Sequence, residues 1–336
     1  MSAIREGEIH VTAFLSGDTV RRVAITSDRP VSLASAMVGR PVPAVADAMA
    51  ALHGLCGQSH AAAVHFAAAA AKGTALPQPE IGRWMIRLAG ERLAEHLRHL
   101  ILDRAADGPS ANELAAFRAA IAAGQAAARS GTVQRDALSW LLVMMGAGLS
   151  SPQGVDGGPS PTMTGGADVL SLADDEAVIA ALAADIGFIR APQLPGRVPE
   201  TGPAARHGMS PAEPDAAAAA RAAEIRAAAA LLLDPESAPT GGWITAGSVG
   251  VDAGYAAVET PRGRLYYRLV LDGDGKLRDA RVLAPTEWNF HPSGPLVRAL
   301  TGFRPGTDAV AAITRRAAAF DPCVALRVSV ESAADA

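Results

Sequence analysis

The sequence predicts an α+β protein that is predominantly helical, a helix bundle with small antiparallel sheets formed by the N-terminal and C-terminal parts of the chain. Apolar residues recur with helical spacing through much of the chain, which is the pattern of helices with one buried face. Apolar and polar residues alternate at residues 8–26, and short strand-like runs occur between residues 253 and 284. A chain of 336 residues can bury a sizeable core, and we interpret residues 1–336 as a single domain.

The first half of the chain begins with a predicted hairpin and continues with helices. Ser16-Gly17-Asp18 separates the two halves of residues 8–26, which predicts a tight turn between two strands. Helical periodicity predicts helices at residues 43–53, 59–71, 81–104, 110–129, 133–147 and 174–186. The segment near residues 150–167 is rich in Ser, Pro and Gly, which predicts a flexible surface loop.

The second half of the chain mixes an extended segment, one long helix and short strands. Residues 191–214 hold many prolines and show no periodicity, which predicts a Pro-rich extended connection. An alanine-rich helix is predicted at residues 216–233. The remaining predictions are strands at 253–258, 264–271 and 277–284, a structured loop at 285–295, and short helices at 293–301 and 306–319.

Composition excludes several classes of function. The formal net charge of −4 argues against a nucleic-acid partner, because such binders usually carry a basic face. The N-terminus lacks an apolar signal core, and the run from Ala61 to Ala71 is too short and too weakly apolar to span a bilayer. We therefore expect a cytoplasmic protein without a membrane partner.

The chain contains only two cysteines, placed near opposite ends, so a disulfide framework is not expected. Cys56 lies between His53 and His60 at spacings of three and four, which could let all three face one way at a helix start. Cys323 follows Asp321-Pro322, a pair typical of a rigid turn. Both stretches have the form of a metal-binding turn, although a buried cysteine is more often just a small hydrophobe.

Six short stretches that occur in order along the chain are informative when taken together. The stretches are Arg5-Glu6-Gly7-Glu8-Ile9-His10-Val11, His53-Gly54-Leu55-Cys56-Gly57-Gln58-Ser59-His60, Glu200-Thr201-Gly202-Pro203-Ala204-Ala205-Arg206, Glu259-Thr260-Pro261-Arg262-Gly263, Pro285-Thr286-Glu287-Trp288-Asn289 and Asp321-Pro322-Cys323-Val324-Ala325-Leu326-Arg327-Val328-Ser329. They cover nearly the whole chain, and no single one is specific. In this order they resemble the motifs of the nickel-iron hydrogenase large subunit.

The departures from that family are as informative as the matches. His53 and Leu326 stand where the family has cysteines, and Ser329 stands where it has a histidine. The two remaining thiols are too few for a binuclear nickel-iron site. The pattern is similar to the HupK/HoxV type of hydrogenase maturation protein, and this resemblance implies a large-subunit look-alike that carries an Fe(CN)2(CO) unit during assembly.

The resemblance also implies roles for individual residues. Cys56 and Cys323 would ligate the iron, which prefers soft thiolates. Arg262 and Thr286 stand where the family binds the cyanides, whose negative charge requires donors in a dry pocket.

The two histidines and Glu6 have less certain assignments. His60 matches a family histidine that hydrogen-bonds near the metal. For His53 three roles are open: an iron ligand, a hydrogen-bond partner of a thiolate, or a filler for the lost cysteine. Glu6 matches a family glutamate of proton transfer, and we expect a structural role for it here because a carrier transfers no protons.

The helix predicted at residues 81–104 has distinct apolar and polar faces. Its predicted inward residues are Trp84, Leu88, Leu93, Leu97, Leu100 and Ile101. Its polar residues are Glu91, Glu95, His96, His99 and Asp103, which we interpret as a solvated, salt-bridged face rather than a metal site. Trp288 is predicted to lie in the core.

The sequence thus predicts a non-catalytic scaffold that transiently binds the iron unit, with no nickel expected. The expected partners are the hydrogenase large-subunit precursor and the general maturation proteins that assemble the iron-cyanide unit. Two alternatives are an unusual hydrogenase-like metalloenzyme with a reduced ligand set, and a metal-free interaction protein that mimics the large subunit.

Overall fold

The computed structural model describes residues 7–30, 33–103, 110–146, 168–236 and 242–333. Glu6 and the loop predicted near residues 150–167 lie outside the described residues. Among the described residues, no helix is long and apolar enough to cross a membrane.

The helices lie close to their predicted positions. Their bounds are α1 (Val42–Leu52), α2 (Gly57–Ala71), α3 (Gln78–Asp103), α4 (Ala111–Ser130), α5 (Arg135–Gly146), α6 (Asp175–Ala184), α7 (Pro203–Arg206), α8 (Pro214–Leu233), α9 (Pro285–Asn289), α10 (Pro295–Leu300) and α11 (Ala309–Ala318). The sequence did not predict α7, which interrupts the Pro-rich connection, or α9, which occupies part of the predicted structured loop.

One sheet joins the two ends of the chain. The predicted hairpin is confirmed as β1 (Glu8–Ser16) and β2 (Thr19–Ser27), which pair antiparallel. A strand that the sequence did not predict, numbered β7 (Ala325–Ser332), pairs parallel with β1, so this sheet is mixed rather than antiparallel. Leu326 on β7 packs against the hydrophobic core of this sheet. The pairing holds the segment that contains Cys323 beside the N-terminal hairpin.

The second sheet is antiparallel and has the strand order β3-β4-β5-β6. Its strands are β3 (Ile244–Gly250), β4 (Ala253–Thr260), β5 (Gly263–Leu271) and β6 (Leu277–Leu283). The last three confirm the predicted strands, and β3 was not predicted. Helix α2 packs against this sheet closely enough that a Cβ on Gly254 would lie 2.3 Å from the carbonyl oxygen of Ala67. The alanine-rich sequence of α2 permits this close approach.

Helices α3, α4, α5 and α8 form a bundle around an apolar core that includes Leu93, Leu97 and Phe117. The predicted inward face of α3 is confirmed, because five of its six residues are buried and Ile101 is half-buried. Trp288 is fully buried, as predicted.

The polar face of α3 was predicted to be solvated, and this prediction is wrong. Glu91, Glu95 and His96 are buried, and His99 is half-buried. The carboxylates find partners in other parts of the chain, and α8 adds Glu224, which lies 3.0 Å from Arg92. Periodicity showed which residues share a face of α3, but α2, α8 and the C-terminal turn cover that face. The side chain of Asp103 lies outside the described residues.

We expect Gly90→Ala to destabilise the protein, because α3 and α4 cross at this residue. A Cβ on Gly90 would lie 2.5 Å from the carbonyl oxygen of Gly124, a backbone atom that cannot move aside alone. Overpacking of this kind costs about 1–3 kcal/mol. Gly82→Ala is the matched control, since Gly82 lies on the same helix and its Cβ would meet open space. Alanine should stabilise α3 there by up to about 1 kcal/mol. Equal unfolding midpoints in urea for the two variants would contradict the prediction.

Candidate functional site

Both cysteines line one cavity where the two ends of the chain meet. Cys56 is buried, Cys323 is half-buried, and both are free thiols. The cavity is small: the space open to water-sized groups is about 50 Å³, which is room for a few such groups. The side chains around it that bear on the chemistry are Arg29, His53, His60, Arg262, Thr286 and Glu287. The two cysteines and the four other residues proposed from the sequence, His53, His60, Arg262 and Thr286, therefore all lie around a single cavity.

Cys56 occupies the N-terminal cap position of α2, but its side chain makes no capping hydrogen bond. Glu91 caps this helix instead, because its carboxylate accepts from the backbone N–H of Gln58 at 2.6 Å and of Ser59 at 3.1 Å. The thiol of Cys56 is therefore not used by the helix. Burial, with a smaller contribution from Glu91, raises the pKa of Cys56, so the side chain is a neutral thiol at neutral pH.

Glu91 is itself unusual, since burial raises its pKa to about 7. The sequence did not identify it as part of the site, because α3 was predicted to expose this face. The signal that could have found it is the missing acceptor at the start of α2, where Cys56-Gly57-Gln58 offers no good cap.

The turn before Cys323 is held by Asp321, whose backbone adopts a positive φ of 51°. Its buried carboxylate lies 2.9 Å from His99 Nε2 and 3.3 Å from Arg262 Nε. Burial acts to raise the pKa of Asp321, but the charge of Arg262 and the contact with His99 outweigh it and hold the pKa well below its usual range. Asp321 therefore stays ionised and anchors the turn from which Cys323 faces the cavity.

Arg262 lies in the turn between β4 and β5 and is 4% exposed. Its guanidinium donates to the carbonyl of Leu55 and to Glu95, each at 3.4 Å. Burial opposes its charge, but nearby negative charges, Asp321 first among them, outweigh burial and raise the pKa of Arg262. A permanent positive charge is therefore fixed beside both cysteines.

Thr286 lies in the first turn of α9 and is 3% exposed. Its hydroxyl donates a hydrogen bond to Cys323 Sγ at 3.4 Å. The resemblance implied a cyanide partner for this hydroxyl, which stays a prediction. In the structure the hydroxyl positions a sulfur.

The spacing of His53, Cys56 and His60 could have let all three face one way at one helix start. In the structure the two histidines belong to different helices. His53 caps the C-terminus of α1, and His60 lies in the first turn of α2. Their rings stack with centroids 3.6 Å apart. His60 Nδ1 lies 2.6 Å from the hydroxyl of Tyr267, and His53 Nδ1 lies 2.9 Å from the carbonyl of Met49. Burial lowers the pKa of both imidazoles, so both rings are neutral at pH 7.

Arg29 and Glu287 also line the cavity. The sequence analysis did not single out either residue. Arg29 lies two residues after the end of β2, and its guanidinium forms an ion pair with Glu287. Glu287 occupies the variable position of the Pro285-Thr286-Glu287-Trp288-Asn289 stretch. Both side chains are largely buried, so a second cation faces the same cavity as Arg262.

The two thiols are the soft metal-ligand donors at this cavity. Across the part of the chain that the structure describes, no group of three or more His, Cys, Asp or Glu side chains could hold a metal ion.

Comparison with known proteins agrees with the motifs. No protein-family model matches the chain. It is 33% identical over 365 aligned positions to the hydrogenase expression/formation protein HupK of Bradyrhizobium diazoefficiens, with 100% of both chains covered. It is 34% identical to HupK of Rhizobium leguminosarum bv. viciae, with 98% of each chain covered.

The fold is that of the nickel-iron hydrogenase large subunit. The Ni-Fe-Se hydrogenase from D. vulgaris Hildenborough superposes with a TM-score of 0.60 at 14% identity, covering 92% of this chain and 94% of that chain. At this identity the likeness establishes the fold alone. Since the two HupK relatives are more than 30% identical over essentially the whole chain, the chain belongs to the family of HupK hydrogenase expression/formation proteins.

Proposed function

We propose that this protein is a non-catalytic carrier that holds the Fe(CN)2(CO) unit through Cys56 and Cys323 during maturation of the nickel-iron hydrogenase large subunit. The observation that supports this most directly is the convergence of two free thiols and the buried guanidinium of Arg262 on one cavity. The proposed partners are the large-subunit precursor and the proteins that assemble the iron-cyanide unit.

The chemistry of the cargo matches the donors around the cavity. An iron bearing two cyanides and one carbonyl has three coordination positions filled, and two thiolates leave one position to spare. Each cyanide presents a negatively charged acceptor, which charged donors bind strongly in a dry pocket. Arg262 is such a donor, because it is buried, positively charged and adjacent to both thiols.

The residues at the other two cysteine positions disfavour nickel in this site. Leu326 carries no donor atom and packs, partly buried, against the core of the mixed sheet. His53 directs Nδ1 to the carbonyl of Met49 and stacks on His60. A bridging thiolate is therefore missing where a second metal would need it, which favours a single iron.

Two alternatives make different use of the same cavity. An unusual hydrogenase-like enzyme would need nickel beside the iron, and the position of Leu326 argues against it. A metal-free mimic of the large subunit would need neither thiol, so the placement of both cysteines at one cavity argues against it.

Infrared spectroscopy and metal analysis separate the three functions. The protein would be produced together with the hydrogenase maturation proteins and purified without oxygen. Cyanide and carbonyl bands with iron but no nickel are the expected result. Bands together with nickel would favour the enzyme, and the absence of bands would favour the metal-free mimic.

We expect retention of the iron unit to strengthen as the pH rises. Burial raises the pKa of Cys56, so binding as a thiolate must release a proton. A higher pH favours a binding equilibrium that releases a proton. The affinity for the iron unit should therefore increase by up to about tenfold per pH unit for each proton released. Iron content after dialysis between about pH 6 and about pH 9 measures this effect. A flat profile would show that the bound ligand is not a thiol that must ionise.

A further inference from the structure

The two cyanides of the proposed cargo require two sets of hydrogen-bond donors. Arg262 is one of them. Arg262 is buried and faces both thiols. Thr286 has a single O–H, and that hydrogen points to Cys323 Sγ at 3.4 Å. A sulfur that becomes a thiolate accepts this hydrogen bond more strongly, because bonds to ionised acceptors are stronger. The second cyanide therefore needs a donor other than Thr286.

Arg29 is the other cation at this cavity. It lines the cavity together with Cys56, His53 and His60, and its charge acts on all three. A guanidinium has five N–H donors. Within the described residues, the Arg29 side chain donates one hydrogen bond, to Glu287. Arg262 is more heavily engaged, because it contacts Leu55, Glu95 and Asp321.

The N-terminal hairpin fixes the backbone of Arg29 at the cavity wall. Gly7 adopts a φ of 79°, and a Cβ there would lie 2.7 Å from Arg29 Cα. The backbone N–H of Asp28 donates to the carbonyl of Glu8 at 3.2 Å, which extends the β1–β2 pairing up to the residue before Arg29. Pro30 follows and lines the same cavity. Only glycine fits at position 7, where the backbone before β1 crosses the backbone of Arg29.

We propose that Arg29 binds the second cyanide of the cargo, that Glu287 positions the Arg29 guanidinium, and that the hydroxyl of Thr286 serves the Cys323 thiolate rather than a cyanide. This inference rests on the proposed carrier function. It assigns one guanidinium to each cyanide, and it accounts for a buried ion pair at the cavity for which the sequence motifs give no reason.

The test compares infrared bands and iron retention in Arg29→Ala and Arg29→Lys. Losing a charge-assisted bond should speed loss of the unit by about tenfold or more in Arg29→Ala. Arg29→Lys keeps the ion pair with Glu287 and should fold normally, yet it replaces the planar fork by a single ammonium group. In both variants the separation of the two cyanide bands should change, while the carbonyl band moves less.

Two controls separate a direct contact from a structural effect. Arg22→Ala removes an exposed guanidinium of the same hairpin, which lies over the Phe14 ring at 3.6 Å from its centroid, and its bands should match the wild type. Thr286→Val should move the carbonyl and both cyanide bands together, because it acts through the sulfur of Cys323.

Each outcome decides between defined possibilities. Bands and retention that match the wild type in folded Arg29→Lys and Arg29→Ala would overturn the role of Arg29 and leave the carrier function standing. A Thr286→Val variant that changes only the cyanide separation would return the second cyanide to Thr286. A wild-type protein that shows no bands would instead overturn the carrier function itself.

Discussion

Replacing either cysteine by serine is expected to abolish binding of the iron unit. Cys56 and Cys323 line one cavity and are the only cysteines in the chain, so no third thiol can substitute for a lost one. Mutations around a metal ligand already cost about 10- to 100-fold in metal affinity. Loss of a ligand itself should therefore exceed about a hundredfold. Iron content and the cyanide and carbonyl bands of Cys56→Ser and Cys323→Ser measure this directly.

The double variant provides the sharper part of this experiment. If the two thiols hold one iron, each single substitution removes the site, and the double substitution has little left to remove. Two independent sites would give losses that add. Cys→Ser changes the volume little, so unfolding midpoints close to the wild type should accompany the loss of iron. Full bands in Cys56→Ser would refute the two-thiolate site.

The meeting of the two cysteines could be anticipated from the sequence, but the structure that produces it could not. The motifs placed Cys56 and Cys323 in a common site by resemblance. The parallel pairing of β1 with β7 was missed, because the partner strand lies at the other end of the chain. The alternation Leu326-Arg327-Val328-Ser329-Val330 was present as a signal for a strand. A local pattern does not reveal a distant partner strand. The alternation could therefore be assigned to a strand of this sheet only once its pairing with β1 was known.

The polar face of α3 shows the same limit in a different form. Helical spacing correctly placed Glu91, Glu95 and His99 on one side. Whether water or protein covers a face depends on tertiary packing, which spacing does not encode. The buried face supplies the cap of α2 through Glu91, a partner for Arg262 through Glu95, and a partner for Asp321 through His99. These polar side chains therefore support the cavity instead of facing solvent.

Arg29 illustrates what a motif comparison overlooks. It belongs to none of the six stretches that carried the resemblance, and in sequence it is an ordinary charged residue before a proline. Its importance comes from a backbone crossing at Gly7 and an ion pair with Glu287, which is 258 residues away. Contacts of that separation follow from the fold and not from local sequence.

Substitution of Arg262 is expected to weaken retention of the iron unit by roughly ten- to a hundredfold without removing a metal ligand. The guanidinium is 4% exposed and carries a fixed charge beside both thiols. A hydrogen bond to a charged group contributes about 1.5–3 kcal/mol, and about 1.4 kcal/mol corresponds to a factor of ten in affinity. The cyanide bands should shift, because their acceptor bond changes, while the carbonyl band moves less.

The choice of substitution matters because Arg262 also neutralises buried carboxylates. Alanine would leave Asp321 and Glu95 without this partner, and breaking a buried ion pair commonly costs about 3–5 kcal/mol. Arg262→Ala is therefore expected to lower the unfolding midpoint as well as iron content. Arg262→Lys keeps the charge beside both carboxylates but loses the planar fork, so its retention should lie between those of the wild type and Arg262→Ala.

Arg262→Lys thus separates the contact with the cargo from the stability of the cavity. The unfolding midpoint of the lysine variant should stay near the wild type, because the charge that holds the Asp321 turn is kept. A shifted cyanide band in a protein of unchanged stability would then report on the contact itself. If iron content and cyanide bands were the same in the wild type, Arg262→Lys and a folded Arg262→Ala, the guanidinium would serve only Asp321 and Glu95. The match of Glu259-Thr260-Pro261-Arg262-Gly263 to the hydrogenase motif would then reflect the backbone turn between β4 and β5 and not a contact with the iron unit.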